Sequence, residues 1–199
     1  MTFKEKLSNY WYYYKWHTVI GALALVFLLI TLVECAQKKT PDLSVAYAGY
    51  EYITTDEFQN DISEIVGDVN GDGIEYVFVD NITIPKEIKT EQDLAMNQKL
   101  ILLFVDGETR MFILERDFMD AYVDAFENLD GILPDDTLEN ALEYEGKKIA
   151  VSTLNCPKLE KYGLSKDNLY MGILTINENN LKYLKNYQTS VKLIQELAQ

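Results

Sequence analysis

The chain has 199 residues, room for one domain and a short accessory segment, and its 32 acidic against 18 basic side chains give a formal charge of −14. The charge lies beyond residue 33, where 15 basic and 31 acidic side chains sum to −16, a field that repels nucleic acid and anionic lipid headgroups. One histidine, His17, and two cysteines, Cys35 and Cys156, exclude a disulfide framework, a Ser–His or Cys–His catalytic pair and a histidine-bearing metal site in the body of the chain.

The first element is a membrane span. Residues 18–33 carry no ionisable group, and as a helix they rise roughly 24 Å, slightly less than a ~30 Å hydrocarbon core. Six aromatic rings fill seven positions just before it: Tyr10, Trp11, Tyr12, Tyr13, Tyr14 and Trp16. Trp and Tyr favour the headgroup region, so Trp11, Tyr14, Lys15 and Trp16 read as membrane-interface residues, and Tyr14, Trp16 and His17 can extend the span at its start. Lys15 can snorkel outward among them. A cleaved signal peptide is disfavoured because "LVECAQ" lacks small residues before a cut. Lipidation of Cys35 is disfavoured by Glu34 before it. An all-round apolar surface with an aromatic collar argues against a buried core helix. Three lysines, Lys4, Lys6 and Lys15, precede the span and two, Lys38 and Lys39, follow it closely; the small bias, with a short basic N-terminus before a large domain, predicts a cytoplasmic N-terminus and a domain outside. The expected organisation is a cytoplasmic and interfacial segment 1–17, a transmembrane helix 18–35, a tether 36–42 and an extracytoplasmic domain 43–199.

Within the domain, "LSVAYAGY" (43–50) reads as a strand. Thr54 and Glu57 are spaced as a capping box for a helix with Phe58, Ile62, Ile65 and Val66 on one face, and Gly67 supplies its stop. "IEYVFVDNI" (74–82) is a second strand. Thr90 and Asp93 can cap a helix over 91–105 whose apolar stripe is Leu94, Ile101, Leu102 and Val105, followed by a strand at 110–115. A hairpin about Asp106-Gly107 is the alternative for 91–115. "RDFMDAYVDAFENL" (116–129) has the clearest helical spacing, with Phe118, Tyr122 and Phe126 on one side. "DDTLENALEY" reads as a shorter helix, "KKIAVSTL" (147–154) and "NLYMGILTI" (168–176) as strands, and 179–198 as one helix or two. This order predicts an α/β (or α+β) domain, three-layer-like, with a central mixed sheet flanked by helices.

Two blocks carry a resemblance. "FKEKLSNYWYYYKWHTVIG" resembles the N-terminus of poorly characterised single-pass membrane proteins of low-GC Gram-positive bacteria. "DLAMNQKLILLFVDGETRMFILERDFMDAY" with "YEGKKIAVSTL" resembles, more loosely, one lobe of extracellular solute-binding proteins. The resemblance implies a cell-surface α/β lobe and no particular binding residues.

One motif could hold a metal. "DVNGDG" places Asp68, Asn70 and Asp72 at positions 1, 3 and 5 of a calcium loop, with Gly73 at position 6. The twelfth position is Val79 where a bidentate acid belongs, so Glu75, Asp80 or a distant carboxylate would have to complete the set. A solvated turn uses the same residues. Asp135-Asp136 is a chance acidic pair in so acidic a chain. No phosphate loop, dinucleotide fingerprint or nucleophile elbow is present. Tyr47, Tyr50 and Tyr52 could line a ligand or partner surface. The expectation is a membrane-held, non-catalytic module that meets the lipid bilayer and binds a small ligand or another membrane or cell-surface protein, not nucleic acid. A calcium-stabilised surface module is the alternative, and a carboxylate-based enzyme the disfavoured third.

Overall fold

A computed structural model of the chain describes residues 3–36, 39–176 and 183–199. They form two compact units, divided between Lys39 and Thr40.

The first unit is a single helix, α1 (Phe3–Ala36). Among the described residues it alone is long and apolar enough to cross a membrane, over Tyr10–Leu32, none of it buried; a signal sequence meets the same measure. The ring collar is part of this helix. Tyr10 stacks on Tyr14 at 5.3 Å between centroids, and Tyr14 meets His17 edge-on at 6.1 Å. Trp11, Lys15, Trp16 and Val19 line a shallow pocket of about 170 Å³.

The second unit is built on a six-stranded mixed sheet. Its strands are β1 (Leu43–Gly49), β2 (Val77–Thr83), β3 (Met111–Glu115), β4 (Leu142–Tyr144), β5 (Lys147–Ser152) and β6 (Leu169–Ile173), in the spatial order β2-β1-β3-β6-β5-β4. β2, β1 and β3 run parallel; β6, β5 and β4 are antiparallel to their neighbours. The parallel strands β1 and β3 are buried on both faces, so they read as near-continuous apolar runs. Leu43, Val45, Tyr47, Met111 and Ile113 face a core shared with α2 (Asp56–Val66) and α5 (Leu184–Leu197). Ala46, Ala48, Phe112 and Leu114 face the opposite core, under α3 (Glu91–Asp106) and α4 (Arg116–Asp120). The domain is therefore α/β, with helices on both sides of the sheet, as the element order predicts.

The reading of 91–115 as helix and strand holds. Asp93 N–H donates to Thr90 Oγ1 at 3.1 Å and Thr90 N–H donates to Asp93 Oδ2 at 2.9 Å, a complete capping box, while Gly107 closes the helix in the left-handed conformation at φ 66. The expected box at α2 is absent: Thr55 stands at the N-cap and its side chain makes no capping bond. Gly67 ends α2 as expected, its N–H donating to the Ser63 carbonyl. Strand ends retreat slightly, to 77–83 for the second and 147–152 and 169–173 for two later ones. Ser152 leads into short 3-10 turns over Thr153–Asn155 and Pro157–Tyr162. The final helix is one over 184–197; the expected start at 179 lies outside the described residues.

Two expected helices are not formed. Only Arg116–Asp120 of the 116–129 segment is α-helical. Beyond it, Glu127 N–H donates to the Ile173 carbonyl at 2.8 Å, Thr175 N–H donates to Ala125 at 2.9 Å, and Leu129 N–H donates to Lys148 at 2.7 Å. Backbone groups of the sheet past the end of β6 need partners, and this segment supplies them, which outweighs its helical spacing. Phe126 still packs, edge-on to Phe104 and Phe112 at 5.8 and 6.2 Å. "DDTLENALEY" likewise forms turns and then β4. Glu145 and Gly146, at φ 48 and 75, make the two-residue turn that pairs β4 with β5. Cys156 is buried and unbridged, a small side chain within the core.

Candidate functional site

The parallel order of β2, β1 and β3 sends α2 to one face and α3 to the other. A crevice is therefore expected where β1 and β3 end side by side, the place where doubly wound sheets hold ligands. Here it is filled from within. Tyr50 N–H donates to Glu115 Oε1 at 2.9 Å, its hydroxyl donates to Asp117, and its ring leans on Phe118 at 5.3 Å with Lys86 Nζ 4.8 Å above. The Asp117 bond and partial burial push the Tyr50 phenol up to about 12. Tyr47 lies inside the core; its hydroxyl donates to the Glu51 carbonyl at 3.1 Å, and burial raises it to about 12. Tyr52 is exposed and stands apart. The three tyrosines thus do not form one surface.

The 68–73 loop closes on its own side chains. Asp68 Oδ1 and Oδ2 accept from Gly71 and Gly73 N–H at 2.6 and 2.8 Å; Asn70 Oδ1 and Asp72 Oδ1 accept from Asp72 and Ile74 N–H, both at 2.8 Å. These are chained Asx turns. Asp80 does not complete a ligand set here: it lies on β2 and accepts from Lys99 Nζ of α3 at 2.6 Å. Among the described residues no group of three or more carboxylate, thiol or imidazole side chains is gathered as a metal would require. The residue that organises the loop is Asp42, at the end of the expected tether. Asp42 is buried; its Oδ1 accepts from Val69 and Asn70 N–H at 2.7 Å each and its Oδ2 from Tyr76 N–H at 2.9 Å.

A second concavity, of about 410 Å³, lies between α2, the Pro157–Tyr162 turn and the end of α5. Four of its charged side chains, Asp61, Lys158, Lys161 and Glu196, pair with one another. Asp61 accepts from Lys161, and from the Tyr162 hydroxyl at 2.6 Å, which together hold its carboxyl below the usual range. Lys158 Nζ donates to the Glu196 carbonyl at 2.6 Å. Burial pushes the thiol of Cys156 up to about 12, away from the lowered values that mark reactive thiols.

Among the described residues of the domain, α3 exposes several large apolar side chains. Leu100 is buried and Met96, Leu103 and Phe104 pack beside it on the sheet side. The stripe that sequence spacing assigned as its apolar face is the outward one: Leu94, Ile101, Leu102 and Val105 are 47%, 40%, 63% and 77% exposed. The helix is apolar on two opposite faces, and only one can meet the sheet. Single exposed apolar residues are ordinary, but Ile101, Leu102 and Val105 are neighbours at helical spacing, with Leu94 two turns earlier beyond the exposed Gln98, an apolar face of the kind that marks an interaction surface. Exposed Glu91, Asp106 and Glu108 border it.

Comparison with protein-family models, with curated proteins and with solved structures found no match to the chain.

Proposed function

We propose that the chain is a non-catalytic, membrane-held binding module, with α1 as its single span and the acidic α/β domain displayed outside the cell to dock a partner protein. The observation that carries this reading is the outward apolar face of α3. Its acidic rim, on a domain of formal charge −16, selects a partner whose contact surface is apolar with lysine and arginine around it. The N-terminal lysines support the cytoplasmic N-terminus, and the aromatic collar supports the span itself. The buried thiol, the paired Asp61–Lys161 and Lys158–Glu196 of the second concavity and the placement of the lone histidine in α1 support binding rather than turnover.

The reading predicts a separation of stability from association. Leu102→Asp with Val105→Asp removes apolar surface from water and should change unfolding free energy by no more than roughly 0.5 kcal/mol. The same pair of changes should abolish the partner complex. Full-length chain, gently solubilised from its own membranes, would run on native gels above its own mass, and the double variant at its own mass. Identical migration of the two would defeat the reading.

A further inference from the structure

Arg110 stands at the start of β3, at the end of the sheet opposite the Tyr50 crevice, and is 1% exposed. Its Nη1 donates to the Thr175 carbonyl at 3.0 Å. Nε and Nη2 are buried and meet no hydrogen-bond acceptor. Among the described residues no carboxylate forms an ion pair with it. The Tyr183 ring lies 5.1 Å from its Cζ. A buried guanidinium that leaves two donors unmet is costly, because the desolvation of each is not repaid.

The geometry of the unmet donors is specific. Nε and Nη2 form one edge of the guanidinium fork, two parallel N–H bonds matched in spacing to the two oxygens of a carboxylate. On one side of this edge the neighbour is glycine backbone rather than a side chain. Gly107, buried at the end of α3, has no Cβ; one built there would sit 3.3 Å from Nη2, tighter than ordinary contact. The site offers one positive charge and a planar pair of donors. A planar monoanion satisfies both, whereas a doubly charged phosphate would carry excess charge into an enclosed position.

We infer that the Nε/Nη2 edge of Arg110, flanked by Gly107, Thr175 and Tyr183, is a carboxylate-binding site of the domain, for a small organic acid or the carboxylate of a peptide. Binding is bidentate and leaves the Nη1 bond to Thr175 intact. It is separate from the α3 face, so either can fail without the other.

Arg110 and Arg116 are the only arginines of the chain, which gives a direct reading. In full-length protein carrying nitrogen-15 arginine, two Nε–H resonances are expected, and Arg116→Lys assigns them. Titration with acetate against chloride at constant ionic strength should move the Arg110 resonance saturably and leave that of Arg116 in place. Acetate should also raise the melting temperature of the wild type and not of Arg110→Lys, which keeps the charge and loses the fork. A short peptide with a free C-terminus, compared with its amide, separates the two sources: stronger binding of the free acid than of acetate assigns a peptide end, and exclusion of both assigns a small acid. No saturable movement, equal movement of both arginines, or equal movement with phosphate would overturn the inference. So would an Arg110 resonance that ignores acetate but shifts in Glu127→Gln, since the edge would then be paired within the chain.

Discussion

Replacing Asp42 with alanine is expected to be among the most damaging single changes in the domain, at a cost of roughly 3–5 kcal/mol. The figure follows from three backbone donors, on Val69, Asn70 and Tyr76, that share one buried carboxylate, with hydrogen bonds to a charged acceptor contributing about 1.5–3 kcal/mol each and water recovering part of the loss. Against a typical domain stability of about 5–15 kcal/mol, that is a large share. Asp42→Asn should recover only part of it: the amide oxygen can still serve Val69 and Asn70, but its NH2 would face the Tyr76 N–H. Urea unfolding measures the loss, and hydrogen exchange localises it. The amides of residues 69, 70 and 76 should lose protection first. Unchanged protection there would refute the role assigned to Asp42.

The second large effect is at Gly172, in the middle of β6. An added Cβ would meet Phe126 Cδ1 at 2.8 Å and the Ile149 carbonyl oxygen at 3.1 Å. The second contact is backbone and cannot swing aside. Glycine in a strand is ordinarily less stable than alanine there by about 0.5–1 kcal/mol, so the default expectation for Gly172→Ala is a gain. Overpacking reverses the sign, to a loss of about 3 kcal/mol. The same substitution in a Phe126→Ala background should cost measurably less, because the ring that shares the space is gone. Additive losses would show that Phe126 does not lie over Gly172 as described.

These two positions also show what a sequence can and cannot reveal. β1, β3 and α3 were legible because their signals agree: continuous apolar runs for strands buried on both faces, and a Thr–Asp capping box with a glycine stop for the helix. The 116–129 segment was not, since Phe118, Tyr122 and Phe126 keep helical spacing while the backbone after Asp120 turns to partners at the ends of β6 and β5. That need belongs to the sheet and leaves no local trace. The hairpin at Glu145-Gly146 was missed because Leu138 and Leu142 fit a helix as well as a strand, and a glutamate at positive φ is an uncommon turn residue. Asp42 looks like a solvated residue until its three donors, from 27 to 34 positions away, are in place. The α3 stripe was read correctly as apolar, but spacing cannot say which of two apolar faces meets the core. That ambiguity hid the surface now given the central role.

The most direct test is therefore made at that surface, in native membranes. A photo-crosslinking residue would be placed at Leu102 or Val105, and as a control at Gln92, an exposed position of α3 off the apolar stripe. A docked partner predicts a single adduct of defined mass from 102 and 105 and none from 92. An adduct at twice the mass of the chain would make the partner a second copy and contradict the choice of a different, basic-rimmed protein. No adduct at either stripe position, or equal adducts at all three, would contradict the claim that α3 is where this domain binds.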